Sequence, residues 1–364
     1  MRVLIIGQNT KIAKLFSYFC DDIYIVVDSS IDHFRSYKEC EMYNIIETST
    51  DIRKVTSIIK RSREISAWIR EHDIDLVFSN DKMSMIAAKI SSLLIGKKVL
   101  LVSTSHNSYA WLNELKVVGF TCLARLCVDG YLALASFVKI AMIKSLFPEP
   151  KILMLPNIIE PDLFEKKQDY NINCGTIRIV YTSTIYRGKG QHVLIESCTA
   201  LIKQGLHVKL DFIGDIIDVE YKKELDSFVF EHGMNEFITF LGRLDNQRLR
   251  GLLKEYDIYV CPSLMEMSPY NVLEAKAAGL PIIASKVGGI PDMIDDGVNG
   301  LLVSANNVEA LVASIKLLAE DYALRSNLGM AASNDMTDKV IGKSAEKFKT
   351  FVERLGYHAK VTSN

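Results

Sequence analysis

DIYVCPSLMEMSPYNVLEAKAAGLPIIAS (257–285) reads as a strand, a loop, a helix and a second strand. The apolar run DIYVCPS runs into LMEMSPY, a strand-to-helix loop at the carboxyl edge of a sheet. Ser268 has the side chain of an N-cap. Pro269 suits the first helical position, because its missing N–H has no partner to lose there. NVLEAKAAG then carries the helix to Gly279, and Pro281 just beyond prevents its continuation.

The same alternation extends on both sides. Upstream, VLIIG (3–7), IYIVV (23–27), DLVFSN (75–80), KVLLVST (98–104) and GYLALAS (130–136) are short apolar runs between helical patterns. The clearest helix is TSIIKRSREISAWIREHD (56–73), whose Ile58, Ile59, Ile65, Trp68 and Ile69 fall on one stripe with the basic residues facing away. KILMLPNIIEPDLFEKKQDYNINCGT (151–176), a polar stretch with turn residues, interrupts the pattern, with the domain boundary expected near 162–176. The pattern restarts with IRIVYTST (177–184), VKLDFIGD (208–215), FITFLGR (237–243) and GLLVS (300–304). Continuous apolar strands separated by helices specify parallel sheets covered on both faces. The expected division is residues 1–165 and 166–345 as two doubly wound α/β domains, with a helical tail over 346–364 that can pack back on the first. Two such halves facing a central cleft would hold ligands at the carboxyl ends of their strands.

Composition narrows the function. At 364 residues, 49% apolar and 24% charged, the chain is of globular type. A net charge of -1 argues against nucleic acid as a partner. Its seven cysteines form no CxxC pair, which fits free thiols in a reducing, cytoplasmic setting. No apolar segment approaches membrane-spanning length, and MRVLIIGQNTKIAKLF has too short an apolar run for a signal peptide.

The chemistry gathers at the start of the helix after Pro269. A helix N-terminus offers backbone N–H groups and partial positive charge to an anion such as a diphosphate. Glu266 precedes this helix and Glu274 lies within it, with seven residues between them. A carboxylate accepts hydrogen bonds from two sugar hydroxyls at once, so one glutamate suits a ribose and the other a hexose. VYTSTIYRGKGQHVLIES (180–197) adds a loop with Arg187 and Lys189, cations suited to a departing diphosphate. Gly188 and Gly190 in that loop permit close backbone approach. STSHNS (103–108) puts His106 at the carboxyl end of a strand.

SLMEMSPYNVLEAKAAGLPIIASKVGGIPDMIDDGVNGLLV (263–303) resembles the donor-binding segment of the retaining GT-B glycosyltransferases of the family 4, group 1 type. That resemblance implies Glu274 on the ribose and Glu266 at the transferred sugar. It also implies the backbone from Met267 through Ser268 and Pro269 to Tyr270 at the distal phosphate, and Lys189, helped by Arg187, on the diphosphate. It further implies His106 beside the sugar, Gly7 in an N-terminal glycine loop, and the backbone at Arg243 and Leu244 near the base. Where the family has an arginine five residues before the lysine, this chain has Thr184, and Met267 stands where a glycine is frequent.

The implied reaction moves a hexosyl unit from a nucleotide diphosphate sugar, UDP ahead of GDP, to a saccharide or lipid-linked acceptor. No metal or other cofactor is expected, since no Asp-x-Asp cluster marks a strand end. The amphipathic stretch SYAWLNELKVVGFTCLARLC (108–127) is assigned to core packing, with peripheral membrane contact as the other use. The alternatives are a nucleotide-sugar 2-epimerase and a non-catalytic partner subunit. GQNTKI lacks the GxGxxG of a nicotinamide site.

Overall fold

A computed structural model describes residues 1–6, 10–28, 43–48, 57–104, 114–338 and 341–356. The chain divides into two compact units, Met1–Pro156 with Ile341–Asn364, and Asn157–Val340. The break falls at Pro156, short of the boundary expected near 162–176, because residues after Pro156 already bond to the second unit: the Asn157 N–H donates to Ser268 Oγ at 3.0 Å.

The first unit runs β1 (Arg2–Ile6), α1 (Thr10–Phe16), β2 (Asp22–Asp28), β3 (Asn44–Thr48), α2 (Ile58–Glu71) and β4 (Leu76–Ser79). It continues through α3 (Lys82–Ile95), β5 (Leu100–Thr104), α4 (Glu114–Cys127), β6 (Gly130–Ala133), α5 (Ser136–Lys144) and β7 (Ile152–Met154). All its strands pair in parallel, in the order β3-β2-β1-β4-β5-β6-β7. β4, β5 and β6 are buried along their whole length, which is why their sequences read as unbroken apolar runs.

In α2 the buried stripe is rotated from the expected one. Ile59 is exposed, while Arg61, Ser62, Ile65, Ser66 and Ile69 are buried. The small serines let α2 approach α3 closely, and Ser91 Oγ donates to the Ser62 carbonyl at 2.8 Å.

The second unit runs β8 (Ile177–Thr182), α6 (Gln191–Lys203), β9 (Val208–Ile213), α7 (Val219–Glu231), β10 (Ile238–Gly242) and α8 (Asn246–Leu252). Then come β11 (Ile258–Cys261), α9 (Tyr270–Ala277), β12 (Ile282–Ser285), β13 (Leu301–Val303), α10 (Val308–Glu320) and α11 (Tyr322–Asp338). Its parallel sheet has the order β10-β9-β8-β11-β12-β13. The chain therefore winds outward from β8 to β10, then crosses back to β11 on the other side of β8. That reversal makes β8 and β11 the switch point of the sheet, where the loops diverge and leave a crevice.

The last helix, α12 (Ile341–Arg354), belongs to the first unit. Phe348 packs edge-on against Phe16 with ring centroids 5.0 Å apart, and Gly130 leaves room for Phe351 and Leu355.

Candidate active site

The two switch-point strands each deliver a loop. β8 is followed by a 3-10 turn, Arg187–Lys189, and β11 by residues 262–269, which lead into α9. The loops are held together by backbone. The Leu264 N–H donates to the Gly188 carbonyl at 3.0 Å. Gly190 has φ 67°, and a Cβ there would stand 2.1 Å from the Pro262 carbonyl oxygen. Only glycine tolerates both conditions. The close approach foreseen for this glycine is thus made against the neighbouring loop.

This contact brings two of the predicted residues together. Lys189 Nζ lies 2.6 Å from Glu266 Oε1, with both side chains largely buried. Burial works against the Lys189 ammonium, but the Glu266 carboxylate and its hydrogen bond outweigh it, so the lysine pKa is raised. Lys189 is therefore a cation throughout the neutral range. A buried ion pair contributes little net stability, so its presence at a sheet's switch point speaks for chemistry. One of the three ammonium N–H donors is taken by Glu266, leaving two for phosphate oxygens. The Glu266 carbonyl accepts from the Gly289 N–H at 3.3 Å, which braces the loop from its other side.

Glu274 is the fifth residue of α9 and half-buried. The tip of α9 differs from expectation. Pro269, with φ -70° and ψ 122°, stands at the cap position, and the helix begins at Tyr270 with no side-chain cap. Ser268 does not cap because Asn157 holds it at both ends: its hydroxyl accepts from the Asn157 N–H, and its carbonyl accepts from Asn157 Nδ2 at 2.6 Å. Asn271, unremarked in the sequence, donates its side-chain amide to the Thr182 carbonyl at the end of β8. Met267 and Tyr270 are half-buried, and Pro269 is buried.

Arg187 is turned to α7, where it pairs with Glu224 and lies over the Tyr221 ring, 4.9 Å from its centroid. Thr184 supplies no charge, and its carbonyl accepts from Gln191 Nε2 at 2.9 Å. Arg243 pairs with Asp215 at 3.2 Å on the surface, while Leu244 packs against the core. Gly7 and His106 lie outside the described residues. Among the described residues, no three His, Cys, Asp or Glu side chains gather in a metal-sized cluster.

Residues 162–335 match the family model described as glycosyl transferases group 1. AmsK, an amylovoran biosynthesis glycosyltransferase of Erwinia amylovora, is 30% identical over 182 residues, covering 48% of this chain and 44% of that protein. A D-inositol 3-phosphate glycosyltransferase of Pseudarthrobacter chlorophenolicus is 28% identical over 170 residues, 46% of this chain and 40% of that one. The matches span less than half the length of these two relatives. The crystal structure of Anabaena HepE with UDP and glucose superposes with TM-score 0.82 at 17% identity, covering 97% of this chain and 99% of that one. The two parallel α/β units thus define a protein of the GT-B fold. Over residues 162–335 the chain is similar to the group 1 glycosyltransferases. These relatives are transferases, which does not favour the epimerase alternative.

Proposed function

We propose that the chain transfers a hexosyl unit, with retention, from a nucleotide diphosphate sugar to an acceptor hydroxyl in polysaccharide or glycolipid assembly, with UDP ahead of GDP as the nucleotide. The observation that carries this is the Lys189–Glu266 pair beside the tip of α9, with Glu274 on the same helix. HepE was crystallised with UDP and glucose, and AmsK serves amylovoran biosynthesis, which supports the donor and the acceptor class.

In this reaction the bond from the anomeric carbon to the phosphate oxygen breaks as the acceptor oxygen bonds to the same face of that carbon. The acceptor proton passes to the departing phosphate oxygen. Lys189 and the α9 tip stabilise the charge that grows on the diphosphate, and Arg187 joins them when it leaves Glu224. Glu266 orients the hexose, and Glu274 holds the ribose. Met267, Ser268 and Tyr270 line the distal phosphate, and the Arg243–Leu244 backbone meets the base. With cations of the protein in these places, no metal ion or other cofactor is needed.

The test is release of UDP or GDP from UDP-glucose, UDP-galactose, UDP-N-acetylglucosamine and GDP-mannose, with and without EDTA, and the anomeric form of the product by NMR. Release that survives EDTA and a product of retained configuration are expected. Loss of all release on chelation contradicts the metal-free scheme, and an inverted product contradicts retention.

We also propose that the enzyme is cytoplasmic and works peripherally at an anionic membrane. The cysteines among the described residues are free. No helix among them is long and apolar enough to cross a membrane. Leu93, Leu94, Leu126 and Leu146 are all exposed at the carboxyl ends of α3, α4 and α5, the last two by 73% and 75%. These helices return from parallel strands, so their carboxyl ends share one edge of the unit. Lys98, Arg125 and Lys144 accompany the leucines there, a combination suited to acidic lipid. Co-flotation with phosphatidylglycerol vesicles but not phosphatidylcholine vesicles, lost in Leu126→Glu/Leu146→Glu, is the expected result. Flotation with neither contradicts it.

A further inference from the structure

Beneath Glu266 lies a line of buried hydroxyls that substrate contact does not account for. Ser263 Oγ donates to Glu266 Oε1 at 2.8 Å, and Tyr181 OH lies 2.7 Å from the same Ser263 oxygen. Tyr181 and Ser263 are both fully buried. Tyr181 is near the end of β8, and Ser263 follows the end of β11, so the line crosses the switch point from strand to strand.

The direction of the protons follows from counting. A serine hydroxyl has one proton and two lone pairs. Were that proton given to Tyr181, a serine lone pair would face a carboxylate oxygen at 2.8 Å, which is repulsive. The proton therefore goes to Glu266, and Ser263 accepts from Tyr181. Burial, with Cys261 and Glu266 adding to it, drives the Tyr181 pKa well up, so the phenol keeps the proton it must donate. The Cys261 thiol, 3.7 Å away, fills the remaining acceptor position on Ser263. Oε1 thus receives Ser263 and Lys189, one donor for each lone pair in the carboxylate plane. Oε2 has no hydrogen bond among the described residues.

We infer that Ser263 is a positioning residue, backed by Tyr181, which locks Glu266 in one rotamer so that Oε2 alone meets the hydroxyls of the transferred hexose. This rests on the transferase site proposed above. Alanine in place of Ser263 and phenylalanine in place of Tyr181 would pack without the desolvation that buried hydroxyls cost, and a satisfied polar line of this kind rigidifies what it touches. A sugar hydroxyl that strengthens its bond to Glu266 as charge develops gains most from a carboxylate already held in place. The nucleotide, held elsewhere in the site, gains nothing from Ser263.

The experiment uses the full chain and the four sugar nucleotides named above, with UDP or GDP release as the assay and calorimetry for the free nucleotide. Ser263→Ala is expected to lower kcat roughly 10–100-fold, the effect of losing a hydrogen bond to a charged group, with KM changed less than about 3-fold and nucleotide affinity unchanged. Ser263→Thr restores kcat to within about 3-fold of wild type, since it keeps the hydroxyl. Tyr181→Phe, in which Ser263 still donates, loses about 3–10-fold and serves as the readout if Ser263→Ala does not fold.

Wild-type kcat in Ser263→Ala, or in Tyr181→Phe where that variant stands in, overturns the proposal while leaving the site intact, provided Glu266→Ala is inactive. Loss of nucleotide affinity equal to the loss of kcat overturns it as well, since that marks a general structural role. Full release by Glu266→Ala, or no release from any of the four donors by the wild type, removes the transferase site and this inference together.

Discussion

Gly190 decides whether Lys189 meets Glu266. A left-handed φ of 67° costs an L-residue about 1–2 kcal/mol by itself, and the Pro262 carbonyl allows a Cβ no room. Gly205, with φ 92° and nothing within 4 Å, isolates the first cost from the second. Gly205→Ala should lower Tm by a few degrees, about 2–4 °C per kcal/mol for a unit of this size, and leave turnover untouched. Gly190→Ala should lower Tm further and cut nucleotide release at least about 10-fold, because the two loops must part. Equal effects of the two changes in calorimetry and in the release assay would mean that the loops are not welded at this point. The glutamate pair, Lys189 and the glycines around it were legible because backbone strain and charge need those residue types at fixed spacing. Ser268 was not, since the group that diverts it, Asn157, is 111 residues away in the chain. Ser263 and Tyr181 gave no signal of their own, as a serine after a strand and a tyrosine within one are ordinary.

At the scale of elements, buried strands announced themselves, while the edge strands of the first sheet did not. β1, β4, β5, β6, β11 and β12 are covered on both faces, so each shows as an apolar run. β3 and β7, at the two edges of the first sheet, passed unrecognised. Asn44–Thr48 is half-exposed, and Ile152–Met154 is three residues long and was read as part of the polar connection. Edge strands have one neighbour and less burial, and the sequence need not be apolar there. In α2 the face was misjudged because close helix packing selects small side chains, and serines at Ser62 and Ser66 do not register as a hydrophobic stripe. α9 was placed correctly at its carboxyl end, where Gly279 has φ 71°, and was one residue out at its amino end. Of the amphipathic stretch at 108–127, Ala124 and Cys127 of α4 are buried while Val118 and Leu126 are exposed, and residues 108–113 lie outside the described residues.

For the whole molecule, the alternation of strands and helices conveyed two α/β units, and the sheet order explains why the chemistry sits where it does. Neither unit's order is visible in the sequence, because parallel strands pair across long separations. Once β8 and β11 are neighbours, the loops bearing Lys189 and Glu266 must emerge side by side. The central claim is that this corner of the second unit grips a nucleotide diphosphate sugar. Calorimetric titration of the wild type, Lys189→Ala and Glu274→Ala with UDP and with GDP tests it most directly. One nucleotide should bind the wild type at a single site, at least about 10-fold more weakly to each variant, the loss expected when a hydrogen bond involving a charged group is removed. Equal affinity in all three proteins, or binding of neither nucleotide to the wild type, would contradict the account.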